Sequence, residues 1–459
     1  MTNRKACFSV PVSRVVAAVA GVFSLSAAAW AVDTTPAQSG QDAKIRELEA
    51  KVAALESRQS LSTSDMTATI ESVLRDAEQR SKLLATTGEM SAGYDDGFFI
   101  RAGDAFVLKP GVFFQFRNVV SHREDVTAAG GSNQTDQGFE VRRMRLKMNG
   151  NAFSKDLEYS FVWEANREGG GTSLLDAWVK YMFNDQWGIK GGQFKEPLTH
   201  EKLVSSERQT AVDRTMVDNL MGGSLFDRVQ GVTAIYGGYK EKNPLYAEFG
   251  LTDGGPKSMN TNFTKHGFDF GLVGRVEYKL MGDWAAYRDF TAKDTKSDLL
   301  VVGGGADWSQ AGDGNLVSLT VDAQWETTQG LGVYGAILIQ NANDAFTGLT
   351  SDTTNWGFLV QGNYMVNPSW EVFGRLDMTM LDNAVAFAGG NTEDTFYEIS
   401  VGLTHYLGPS GSWKHHAKFQ VDLSFLPNGA PTDLNGIDVL DANNGGNEIV
   451  LRSQFQLVL

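Results

Sequence analysis

Three cations at every second position, Arg143, Arg145 and Lys147, alternate with Met144, Leu146 and Met148. In an extended chain, neighbouring side chains point to opposite faces, and every second one recurs about 6.6–7 Å further on. The cations therefore form a column, with an apolar stripe behind them. Guanidinium and ammonium groups spaced in this way can hand an oxyanion along, each offering charge-assisted hydrogen bonds in place of water. The same residues also fit an ordinary polar wall, in which Arg143 or Arg145 pairs with Glu158 or Glu164 of the following segment. Arg142 breaks the alternation set by Phe139 and Val141, which predicts a bulge near 142.

A second group lies in the stretch 195–228, where Lys195, Lys202, Arg208 and Arg214 interleave with Glu196, Glu201, Glu207, Asp213 and Asp218. The charges nearly balance. Such a segment can create a mixed-sign field across a pore, or can hold itself together with its own ion pairs. Chemistry of other kinds finds less support. His200 lies near Ser205 and Ser206 in sequence, but no G-x-S-x-G elbow accompanies them. His415 and His416, if they open a strand, point to opposite faces and cannot share a metal. The acidic run Asp433 to Asp441 lacks the spacing of a calcium loop. Neither a metal nor a cofactor is expected.

The elements that must position these residues are strands. From about 110 to the end, segments of roughly ten residues alternate apolar with polar, and clusters of Gly, Asn, Asp and Ser separate them. Leu157, Tyr159, Phe161, Trp163 and Ala165 share one face, and Leu175, Ala177, Val179, Tyr181 and Phe183 repeat the arrangement. Strand starts fall near 110, 139, 157, 174, 187, 229, 244, 267, 298, 316, 331, 355, 370, 395, 414 and 447. This makes about 16 strands, an even number, as a transmembrane antiparallel β-barrel requires, and enough to enclose an aqueous lumen. The interruption between 195 and 228 is too long for a turn, and is expected to fold into the barrel mouth or lumen.

The remaining features place that all-β barrel in a cell. Arg4 and Lys5, a small and apolar run from Val15, and Ala29-Trp30-Ala31 read as a secretory signal peptide over 1–31. The one cysteine, Cys7, falls inside it. Ile45, Leu48, Val52 and Leu55 form a short a/d seam, so 32–92 is expected to hold a periplasmic α-helical coiled-coil segment and linker, and 93–459 the barrel. After residue 31 no stretch is long and apolar enough for a spanning helix. A formal charge of −15 argues against nucleic acid as a partner.

Two stretches carry a likeness to a known family. They are Phe139-Glu140-Val141-Arg142-Arg143-Met144-Arg145-Leu146-Lys147-Met148-Asn149-Gly150 and Gly191-Gly192-Gln193-Phe194-Lys195-Glu196-Pro197, with Leu175 to Tyr181 between them. Together they resemble the phosphate-selective porin O/P family of Gram-negative outer membranes. The resemblance implies a trimeric porin with sixteen strands and an inward third loop, and places Arg142, Arg143, Arg145 and Lys195 on its anion path. The chain departs from the pattern in ending on Leu459 and in its acidity.

The expected function is passive diffusion of small solutes, anions such as phosphate foremost, through an outer-membrane homotrimer in contact with lipid. Arg143, Arg145, Lys147 and Lys195 would line the path, with Arg142, Lys202, Arg208 and Arg214 as further candidates. No enzymatic turnover is expected, and an esterase centred on His200 is the weakest of the readings. The competing role is structural: a barrel that tethers the outer membrane to the cell wall through its N-terminal helices. Deleting residues 41–90 separates the two, because a porin is expected to keep its single-channel conductance without them, whereas loss of conductance would place the working part in the deleted segment.

Overall fold

Sixteen runs of alternating side chains need a surface on which one face meets lipid and the other water. A computed structural model of the chain supplies it. The structure describes residues 90–459 apart from 96, 127–131, 168, 224–226, 256–261, 263, 265, 266, 389, 390, 433, 435 and 441–445. The expected signal peptide and coiled-coil seam lie outside the described residues. Two units are distinguished. In the first, the described residues 90–93 and 100–102 belong to two short strands, Met90–Tyr94 and Phe98–Ala102, and 103–104 form a turn.

The second unit is a closed antiparallel barrel. Among the described residues its strands are β1 (Phe106–Val126), β2 (Ser132–Ala152), β3 (Leu157–Ala165), β4 (Thr172–Met182), β5 (Trp187–Lys195), β6 (Arg228–Tyr236), β7 (Leu245–Thr252) and β8 (Phe270–Met281). They continue as β9 (Leu299–Ala311), β10 (Gly314–Glu326), β11 (Leu331–Ala342), β12 (Thr353–Asn367), β13 (Trp370–Met380), β14 (Thr395–Tyr406), β15 (Ala417–Leu426) and β16 (Glu448–Val458). Each pairs with the next, and β16 returns to β1 with Phe455 opposite Phe116 and Val458 opposite Phe113. Closure is obligatory in hydrocarbon, where an open edge would leave backbone N–H and C=O groups without partners.

The two-residue period sorts the side chains. On β10, Leu319 and Val321 are exposed on the outer face while Ser318, Thr320 and Asp322 are buried within. Trp308 and Trp356 stand outward at one rim and Trp187, Trp325 and Trp370 at the other, the position of interfacial aromatic girdles. Most of the longer connections, including 196–227 and 427–447, share one rim, which is the extracellular side in barrels of this kind, while 282–298 belongs to the other.

Three local departures from simple alternation have physical causes. The pairing of β1 with β2 slips between Gln115–Arg143 and Phe116–Val141, so Arg142 is the extra residue of a bulge, where the sequence placed one. A second slip, between Val162–Asp176 and Trp163–Leu174, leaves Leu175 unpaired, and its side chain is buried instead of joining Val179 and Tyr181 on the outer face. Lys414–His416 form a 3-10 turn, not the start of a strand; Lys414 has φ 44°, and extended backbone resumes at Ala417.

The lumen is not an open tube. Three connections fold into it and build apolar clusters against inward-facing wall residues. Val204, Val217 and Met221 of the 196–227 connection pack with Tyr334, Ala336, Leu338 and Leu359. From the opposite rim, Trp284 and Tyr287 of the 282–298 connection join Ile235, Tyr246 and Val301. Leu434, Ile437 and Val439 of the 427–447 connection meet Met216 and Phe396. These clusters form a packed core within the barrel. Outside, the medium is lipid, and Val321→Arg on the mid-wall of β10 is expected to destabilise the barrel by ~2–4 kcal/mol in urea unfolding from vesicles, the cost of a cation facing hydrocarbon. An unchanged midpoint would place Val321 off the lipid face.

Candidate functional site: the charged lumen

The connection 196–227 determines what the inner wall can do. It opens with Glu196 and Pro197 and then forms one turn of helix, α1 (His200–Leu203). Thr199 caps its start, accepting from the Lys202 N–H at 3.2 Å. The carbonyls at its end would be orphans. Two cations take them. Lys195 Nζ donates to the carbonyls of Lys202, Leu203 and Val204 at 2.8, 3.1 and 3.3 Å. Arg214 donates from Nε to the Glu201 carbonyl at 3.0 Å and from Nη2 to that of Val204 at 2.8 Å. Both residues act here as clamps on the loop.

Beyond α1 the chain crosses the lumen, and wall side chains receive its backbone. Lys418 Nζ donates to the Gln209 carbonyl at 2.7 Å, and Gln420 to that of Thr210 at 2.8 Å. The Val212 N–H donates to Asp422 at 2.9 Å and the Met216 N–H to Glu398 at 3.2 Å. Asp213 enters a cluster of arginines. Arg117 Nη1 donates to its Oδ2, Arg143 Nη2 donates to its Oδ1 at 2.9 Å, and Arg142 lies 3.7 Å away. Arg375 donates to its carbonyl at 2.8 Å. Burial alone would raise the Asp213 pKa, but Arg117, Arg142 and Arg143 hold it well below the carboxylate range.

Most of the remaining candidate residues are also partnered. Arg145 donates to Glu164 at 2.8 Å, directly across the β2–β3 register, and lies 5.6 Å from the Phe113 ring centroid. Lys147 Nζ bonds Glu207 and lies 5.1 Å from the same ring. Lys202 pairs with Asp227 at 2.8 Å. Arg142, on the bulge, donates to the Gly436 carbonyl. Arg208 is half-buried beside Glu207, whose charge it supports. His200 is a core residue: its ring stacks on Tyr287 at 3.8 Å, its Nε2 bonds Gln324 at 2.8 Å, and burial lowers its pKa.

These placements divide the inner wall. Inward positions on β8–β16 are almost all buried beneath the loops, Lys418, Gln454 and Gln456 completely so. The part-exposed charges cluster on β2–β6 and on the loop facing them. There Lys180 pairs with Glu158 at 2.8 Å, Lys190 with Glu248 at 2.5 Å, and Arg228 with Asp227 at 2.7 Å and with Asp176 at 3.3 Å. Side chains of Lys147, Lys180, Glu164 and Asp227 are 17%, 19%, 22% and 34% exposed. This side of the lumen carries part-exposed ion pairs of both signs.

With that geometry in place, the sequence decides the family: residues 117–380, more than half of the chain, match the phosphate-selective porins O and P. The chain belongs to that family. No curated protein matches the sequence. Among solved structures the porin is similar to an anion-selective porin from Comamonas acidovorans, with 14% identity, a TM-score of 0.52, and coverage of 77% of this chain and 100% of that one. OprB of Pseudomonas putida shares 8% identity over 76% of this chain and 94% of its own, with a TM-score of 0.51. OmpF of Salmonella typhi, in complex with daunomycin, shares 12% over 80% and 100%, with a TM-score of 0.50. At these identities the likeness is one of fold, and it is the fold of outer-membrane porins.

Sequence reasoning did not single out Arg117, Arg275, Arg375, Arg452 and Lys418, which anchor loops in this porin. Each sits at an inward position beside an outward apolar residue, as Arg275 does beside Val276 and Arg117 beside Phe116, and that parity was the available signal. Parity alone does not say which cations a loop covers. Glu207 shows what covering does. Burial would raise its pKa, yet Lys147, with Arg208 and His415, lowers it from 4.5 to about 2. A carboxyl depressed in this way contributes stability above its unfolded value and loses it as pH falls through the folded one. Glu207→Gln is expected to cost about 3 kcal/mol at neutral pH. In urea unfolding the deficit should shrink below pH 4.5 and vanish near pH 2; a deficit constant with pH would assign the loss to packing.

Proposed function

We propose that this porin passes small anions, phosphate among them, by passive diffusion along the β2–β6 wall, narrowed by the 196–227 connection. The observation that carries the reading is the column of Arg145 and Lys147 on the part-exposed side of the lumen, both beside the Phe113 ring. Lys180, Lys190, Lys202 and Arg228 extend the cationic positions on that side. Each has a carboxylate partner within reach. An anion entering the path exchanges places with such a partner, so that it is held at each step without being trapped. The anion-selective name of the Comamonas porin and the family description agree with this choice of solute.

The same proposal includes export by the 1–31 signal peptide into the outer membrane of a Gram-negative bacterium and assembly as a homotrimer. It describes a channel, with no covalent step for a side chain to perform.

Reversal potentials in planar bilayers under a KCl gradient test the reading. The natural chain is expected to favour chloride over potassium. Arg145→Glu places two carboxylates side by side where Glu164 had a cation, and should lower the chloride-to-potassium permeability ratio roughly fivefold or more, as like charges at close range disfavour anions. A cation-preferring natural channel would leave the porin standing and remove the anion assignment. No conductance at all would remove the channel itself.

A further inference from the structure

On leaving β5, the 196–227 connection meets the wall again at β9. Leu198 is buried there, and its carbonyl accepts from Arg275 Nη1 at 2.9 Å. It lies so close to Gly305 that a Cβ on that glycine would stand 2.3 Å from the carbonyl oxygen. Two residues earlier in the connection, and two further along β9, Glu196 faces Asp307. Both are 1% exposed. Asp307 Oδ1 accepts from Ser309 at 2.9 Å, but neither oxygen of Glu196 nor Oδ2 of Asp307 has a hydrogen-bond partner. The inward register partners of Asp307 are neutral, Val273 on β8 and Ser318 on β10. The neighbouring cations are engaged elsewhere, Lys195 by the carbonyls of 202–204 and Arg275 by Glu277, Asp322 and Leu198. Asp307 is thus the one titratable group that faces Glu196 among the described residues, and it adds to burial in raising the Glu196 pKa well above 4.5.

Two ionised carboxylates cannot share so dry a place, because each is a buried charge without a counter-charge and each repels the other. Facing oxygens that can only accept need a hydrogen between them. We infer that Glu196 is a carboxylic acid that donates its proton to Asp307, and that this bond latches the root of the 196–227 connection onto β9. The latch opens when that proton passes to water. Two facing negative charges are then left behind, and Glu196-Pro197-Leu198 is driven off the wall. The connection that narrows the proposed path is therefore held by a proton at its root, and held less firmly as pH rises. This concerns how the loop is fastened, whichever solute passes it. An acid whose folded pKa is raised adds stability that is complete below its unfolded value of 4.5 and is lost as pH rises toward the folded one.

Urea unfolding from vesicles tests the latch without calling on conduction. The natural full-length chain is compared with Glu196→Gln and Asp307→Asn at about pH 5 and about pH 9. Each amide carries a permanent N–H donor for the carboxyl that remains, so either variant keeps the bond without the shared proton. Between the two pH values the unfolding constant of the natural chain should rise roughly tenfold or more relative to each variant. Either variant carries the test should the other fail to fold. A natural chain whose unfolding follows pH no more steeply than the variants overturns the latch and leaves anion passage untouched. Stabilisation of the natural chain by added calcium at the higher pH, absent from both variants, would mean that the pair holds a cation in place of the proton, and overturns it as well. The expected pH dependence in a chain that does not conduct would remove the proposed passage and leave the latch standing.

Discussion

A guanidinium on the wall of a water-filled barrel keeps most of its hydration. Placed beneath a loop, the same group is stripped of water, and it must find carboxylates or carbonyls in return. That constraint explains the interior of this porin. Arg452 meets Asp422 at 2.8 Å and the Ile437 carbonyl at 2.7 Å, and Arg275 meets Asp322 at 2.8 Å and the Leu198 carbonyl at 2.9 Å. In both cases one partner comes from the wall and the other from a folded-in connection. The charges that would otherwise make the lumen a sink for anions have become the fastenings of its loops. Because a lone buried charge is so costly, removal of one partner propagates, and the loops and wall behave as a unit.

The fastenings also account for how an acidic chain lines its interior with arginines and lysines. Acidic residues are not confined to the outer loops. Asp213, Glu207 and Asp227 lie in the 196–227 connection and face arginines and lysines of β1, β2 and β6. Sign is thus balanced locally, pair by pair. Selectivity in such a lumen depends on how readily each pair opens, and a count of arginines does not measure it. Lys195 illustrates the difference. Its position at the end of β5 matches the family pattern, yet its ammonium is occupied by three carbonyls and secures the end of α1.

Much of the scaffold was legible in the residues. Leu157, Trp187, Leu331, Trp370 and Thr395 begin their strands where the alternation begins. Each has a polar turn before it, and period two is a local signal that lipid on one side enforces. The bulge at Arg142 was legible for the same reason, as a local fault in that period. β1 and β2 start earlier than the pattern suggested, at Phe106 and Ser132, because their ends extend past the apolar band where alternation no longer has a consequence. What could not be read were the contacts made at a distance. The partner of Arg143 is seventy residues on and that of Arg117 more than three hundred, and nothing near either residue announces them. The inward turn of 282–298 was missed too, although Trp284, Tyr287 and Phe290 make it unusually aromatic for a connection on that rim.

His200 shows how the two kinds of information combine. In sequence it is a histidine near serines, which invites thoughts of catalysis. In the fold it lies between connections that enter from opposite rims, stacked on Tyr287 and set edge-on to Phe290 at 5.5 Å, with Gln324 of the wall on its Nε2. Burial favours the neutral ring, and a neutral imidazole is flat enough to stack and polar enough to satisfy one wall amide. It therefore joins the 196–227 and 282–298 connections to each other and to β10 without adding a charge. That joint completes the packed core within the barrel, while the part-exposed charges stay on the β2–β6 side, where the proposed path runs.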